Sequence, residues 1–237
     1  MAEGMPKVFR KSPEVVSTYD FLDVISGTGY TILFLGRTGG APANATGCIL
    51  SNHEFYAASQ TAYSTGFNET PSAIATSNAS VNFDVLLQKP LVIQGKAIFQ
   101  CSFATKISNA AITAKVKMKV HLKKWDGTTA TTIATSAFSD ESSTTSVIYT
   151  DYKFFTANLD IAAATLIKRG EYVRVTVDFY GYNSAGGHQW YGIIACDPEA
   201  RTTSIIQTDT AADNVIANWN ASYPSDAQMM LPIRVDI

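Results

Sequence analysis

Residues 114 to 124 read AKVKMKVHLKK, and polar and apolar positions alternate through them as far as Lys123. Lys115, Lys117, Lys119, His121 and Lys123 fall on one side, and Ala114, Val116, Met118, Val120 and Leu122 on the other. Successive side chains of an extended strand point to opposite faces, so the segment is predicted to be a β-strand with one apolar and one basic face. A second segment, EYVRVTVDFYGY from Glu171, repeats the pattern. Val173, Val175, Val177 and Phe179 share one face, while Tyr172, Arg174, Thr176, Asp178 and Tyr180 share the other.

The same reading places strands in VNFDVLLQ from Val81 and in LVIQGKAIFQCSFATKI from Leu91, where Ala97, Phe99, Cys101 and Phe103 share a face. The lysine-bearing strand ends at Trp125-Asp126-Gly127, a tight-turn pair that predicts TTIATSAFS as its hairpin partner. TYDFLDVI from Thr18 and YTILFLGRT from Tyr30 look like a hairpin across Gly27-Thr28-Gly29. Short β-prone pieces follow at QWYGIIACD, TSIIQTD and MMLPIRVDI, and apolar spacing of three and four predicts short helices at 160–168 and 213–219. Roughly eight to ten strands punctuated by turns predict an all-β fold, an antiparallel β-sandwich or jelly roll. Residues 1–17, with Pro6 and Pro13 and no periodicity, read as an extended N-terminal arm with Val8 and Phe9 available to bury against a partner. Residues 18–237 then form one sandwich domain, with 18–80 its less regular part.

Composition narrows the surface chemistry. Charged residues make up 16% of the chain, below the roughly 25% of an average soluble domain. With 18 basic and 20 acidic side chains the formal net charge is -2, which argues against nucleic acid or an anionic membrane as a partner. No run approaches the about 20 apolar residues of a membrane-spanning helix, and the first residues lack the pattern of a signal peptide. Cys48, Cys101 and Cys196 are odd in number and widely spaced, so no closed disulfide framework is expected, and Cys101 should be a buried free thiol.

Motifs of catalysis are missing. The chain has no G-x-S-x-G elbow, phosphate loop, H-E-x-x-H or C-x-x-C, and its three histidines, His53, His121 and His188, lack partners at ligand spacing. No catalytic residue, metal ligand or cofactor is therefore assigned. The lysines 115, 117, 119 and 123 would be a solvated face opposed by carboxylates of flanking strands, or a salt-bridge surface toward an acidic partner subunit. GYNSAGGHQWYG, 181 to 192, presents Tyr182, Trp190 and Tyr191 either to a partner or sugar, or to the end of the sandwich core.

The run from LVIQGKAIFQCSFA through VKMKVHLKKWDGTT to LIKRGEYVRVTVDFYG resembles jelly-roll virion proteins of tailed bacteriophages, in particular capsid decoration or cement proteins. The likeness is one of strand grammar over about residues 81 to 182. It implies a non-enzymatic virion structural protein, made in the host cytoplasm, that binds the major capsid protein and sister subunits, as a trimer by preference. The alternative it implies is a tail-associated receptor-binding or carbohydrate-binding jelly roll.

Overall fold

The alternation at 114–124 becomes a strand buried on one side only. In the computed structural model, which describes residues 28–37, 48–52, 61–69, 79–107, 109–146, 150–183, 188–196, 204–206, 215–217 and 227–234, strand β6 (Ala114–Trp125) has Ala114, Val116, Met118, Val120 and Leu122 fully buried. It lies antiparallel to β10 (Tyr172–Asn183) along twelve residue pairs, from Tyr172↔Trp125 to Asn183↔Ala114. Val173, Val175, Val177 and Phe179 are buried with it. The two apolar faces are therefore neighbours within one sheet. On the far side of β10 runs β4 (Ala79–Leu86), whose Val81 and Phe83 extend the same buried face.

The turn after β6 follows from its sequence. The Asp126 carboxylate accepts hydrogen bonds from the amides of Thr128 and Thr129 and from the Thr128 hydroxyl. These bonds, the Thr129 amide foremost, lower its pKa to about 2. Gly127 takes φ +101°, open to glycine at no steric cost. The chain returns as β7 (Ala130–Thr135), in register with His121↔Thr135. Beyond β7 the hydroxyls of Ser136 and Ser139 take over the pairing, accepting from the amides of Val120 and Met118. Ala137 and Phe138 consequently bulge outward, and β8 (Ser142–Thr144) completes the edge against β6.

The other layer is built on β5 (Leu91–Ile107), which pairs along almost its whole length with β9 (Thr150–Ile167). Here the helix expected at 160–168 is strand: Leu159, Ile161 and Ile167 are buried and paired to β5, and that burial overrides the apolar spacing of three and four. On its opposite edge β5 pairs with β14 (Gln228–Arg234) and β11 (His188–Cys196), which pairs in turn with β3 (Thr61–Glu69). β1 (Thr28–Arg37) joins β14, then β2 (Cys48–Ser51), and one parallel pair, Ile49↔Asp84, links β2 to β4. A single twelve-stranded hydrogen-bonded sheet, ten strands in one path with β8 and β9 joined at its sides, thus folds over on itself as an all-β sandwich with one hydrophobic core. A separate hairpin pairs β12 (Ser204–Ile206) with β13 (Val215–Ala217), so the short helix expected at 213–219 is also strand where it is described. Cys101 is fully buried and makes no disulfide among the described residues.

β1 starts at Thr28 and its partners among the described residues are β14 and β2, while the hairpin expected across 27–29 needs residues 18–25 as its other strand. Its first half at 18–25 and the arm at 1–17 lie outside the described residues.

The layers meet closely where β10 faces β11. A Cβ added at Gly181 would stand 2.7 Å from the Trp190 ring and from the Lys115 carbonyl oxygen, and one at Gly192 would stand 2.7 Å from the Phe179 ring. Phe179-x-Gly181 on one strand and Trp190-x-Gly192 on the other therefore interlock, each aromatic ring filling the notch left by the other strand's glycine.

Candidate functional site around His121

The outward face of β4, β10, β6 and β7 carries the polar halves of the alternating strands. At its centre His121 Nε2 lies 3.1 Å from Asp178 Oδ2 and Nδ1 lies 2.8 Å from Thr135 Oγ1. Three strands bring these groups together: Thr135 is directly opposite His121 on β7, and Asp178 is diagonal to it on β10. A carboxylate only accepts, so it fixes the proton of the neutral imidazole on Nε2. Nδ1 is left to accept from the threonine hydroxyl.

Asp178 is 9% exposed. Burial alone would raise its pKa, but hydrogen bonds from His121 and from Ser80, with the charges of His121 and Lys123, outweigh it and hold the carboxyl below its ordinary 3.8. Next to it Tyr180 is pushed upward by burial and by the Asp178 charge. Thr176, fully buried opposite His121, donates to Asn82 Oδ1 at 2.7 Å and closes the floor toward β4. The Thr135 hydroxyl is on the exposed side of the chain of hydrogen bonds.

Aromatic pairs stand at both ends. The outward bulge after β7 sets Phe138 edge-on to Tyr180 at 4.9 Å and under the Lys119 ammonium at 4.1 Å. At the turn end Trp125 packs on Tyr172 at 4.6 Å, and the Arg174 guanidinium covers its ring at 3.9 Å while gripping Asp84 through Nε and Nη2 at 2.6 and 2.7 Å.

The residues singled out from the sequence are dispersed by the fold. Lys115 pairs with Glu141 at 2.8 Å and Lys117 approaches the same carboxylate at 3.8 Å, while Lys119 and Lys123 flank His121. Trp190 is fully buried against Gly181 and so presents nothing to a partner. Tyr191 is half-buried beneath the Lys106 ammonium, and its carbonyl accepts from the Thr105 hydroxyl. Tyr182 pairs through its backbone with Lys115, and Val8 and Phe9 lie outside the described residues. Sequence reasoning treated His121 as an isolated histidine and missed Thr135 and Asp178. The available signal was that His121 and Asp178 both occupy outward positions of strands whose apolar faces must share one core.

The sequence matches no protein-family model and no curated protein. Among solved structures, an aminopeptidase from the marine sediment archaeon Thaumarchaeota archaeon aligns at TM-score 0.51 and 9% identity, over 88% of this chain and 37% of that one. A CocE/NonD family hydrolase from Staphylococcus aureus aligns at TM-score 0.49 and 13% identity, over 87% and 36%. Infectious bursal disease virus, Gx strain, aligns at TM-score 0.27 and 11% identity, over 88% and 48%. The chain thus spans a little over a third of the hydrolases whose path it shares. This finding corrects the expectation of a non-enzymatic capsid decoration or cement protein, together with its receptor-binding and carbohydrate-binding alternative. The strand grammar that suggested a virion protein is common to sandwiches of many functions, and here the chain path is shared with part of a hydrolase.

Proposed function

We propose that the chain hydrolyses an ester or amide bond, with Thr135 as nucleophile, His121 as general base and Asp178 as the carboxylate that orients and stabilises the imidazolium. The observation that carries this reading is the continuous Thr135–His121–Asp178 hydrogen-bond chain, with contacts of 2.8 and 3.1 Å. In the first step Thr135 Oγ bonds to the substrate carbonyl carbon while its proton passes to His121 Nδ1. The leaving alcohol or amine departs with that proton. Water, deprotonated by Nδ1, then attacks the acyl-threonine, and the acid is released as the bond to Thr135 Oγ breaks and the proton returns from Nδ1 to that oxygen. The fold likeness to part of an aminopeptidase supports the reading at the level of architecture. A second reading, that the chain is the sandwich part of a hydrolase whose catalytic groups lie elsewhere, is favoured by that partial span of 37%.

One assay separates them. The purified chain is incubated with 4-nitrophenyl esters and aminoacyl 4-nitroanilides, beside Thr135→Val, His121→Gln and Asp178→Asn variants checked for folding by melting. Turnover by the parent that falls about 100-fold or more in Thr135→Val supports the proposal. Absence of turnover by the parent chain, or a Thr135→Val variant as active as the parent, rejects it.

A further inference from the structure

The basic row on β6 is unevenly neutralised. Glu141 serves Lys115 and Lys117, Asp84 serves Arg174, and Glu171 stands 3.9 Å from Lys124. Lys119 faces Asp178 across the register, yet its ammonium lies over the Phe138 ring, and Lys123 faces Arg174. Neither Lys119 nor Lys123 makes an ion pair with a carboxylate among the described residues. They are the residues two before and two after His121, so each side chain leaves the strand about 7 Å from the imidazole on the same face. With the imidazole neutral, the two lysines and Asp178 leave a charge of 2 − 1 = +1 at the centre of the face.

We infer that Lys119 and Lys123 form an anion-recognition site around His121, and that the hydrolytic centre selects a substrate bearing a carboxylate beside the scissile bond. The inference rests on the hydrolytic reading for its substrate, while the anion site itself stands on the placement of the two lysines. Glu141 holds Lys115 at ion-pair distance and approaches Lys117, whereas Lys123 acts on the fixed Asp178 carboxylate only through space and Lys119 lies over the Phe138 ring, so both ammoniums remain placed to meet a mobile carboxylate. Phe138, 44% exposed beside Lys119, adds an apolar wall for the carbon chain carrying that carboxylate.

Two measurements test it. The first is the ratio of kcat/KM for mono-4-nitrophenyl glutarate to that for neutral 4-nitrophenyl butyrate, expected to be tenfold or more at low ionic strength and to shrink at 0.5 M salt, a concentration of about 4 Å screening length. In the Lys119→Gln/Lys123→Gln double variant the ratio should fall to near one. The second needs no turnover: glutarate is titrated into the folded chain and the His121 and lysine side-chain resonances are followed by NMR. Glutarate-dependent shifts centred on His121 that vanish in the double variant support the anion site even if the ester assay is silent, in which case only the hydrolytic reading fails. A ratio near one in an active parent chain, or an absence of shifts at His121, overturns the inference.

Discussion

The two faces of β6 are made of the same eleven-residue alternation and are held in place by different physics. Inside, Ala114, Val116, Met118, Val120 and Leu122 are all fully buried, and what matters is that each is apolar and of a size the core can close around. Outside, particular residues meet particular partners from other segments: Lys115 meets Glu141, Lys119 meets Phe138, and His121 meets Thr135 and Asp178. Burial thus sets the register of the strand, and the register then decides which polar groups become neighbours. Chemistry on the outer face is a consequence of packing on the inner one.

The comparison breaks most severely on the inner face. Val120→Asp places an unpaired charge where exposure is nil, at a cost of several kcal/mol, and should yield no soluble folded protein. A soluble variant with the parent melting temperature would show that the face is not core.

The glycine notches are next. Gly192→Ala drives a Cβ to 2.7 Å from the Phe179 ring and should cost about 1–3 kcal/mol by overpacking. Adding Phe179→Leu opens room for the new methyl, so denaturant titrations of both single variants and the pair should reveal a favourable coupling. Strict additivity would mean that the two strands do not interlock there.

The smallest effect sharpens the outer face and depends on pH. The folded pKa of Asp178 lies below its ordinary 3.8, so its ionised form contributes stability above that value, and the contribution is lost as pH falls through the lower folded value. Asp178→Asn should therefore lower the melting temperature at pH 7, and the difference from the parent should close as both are acidified below 3.8. An equal difference at pH 7 and pH 2 would remove the charge of Asp178 from the account.

Which parts of the molecule were legible in the sequence follows from the range of the forces involved. Alternation at Val116 to Leu122 and at Val173 to Phe179 marks a buried face because period two is a local property of the chain, and Asp126-Gly127 marks its turn because carboxylate and backbone lie within three residues. Residues 160–168 misled toward helix because their apolar spacing is local, whereas the pairing of Ile161 and Ile167 that makes them strand comes from β5, distant in sequence. The aromatic segment at Trp190 left exposure and core packing open because its partner glycine, Gly181, meets it only across the layers. By itself the sequence determined an all-β chain with half-buried strands and a basic row. Only the tertiary structure decided that Thr135, His121 and Asp178 converge, since three strands must pair in one register before their outward side chains come within hydrogen-bond reach.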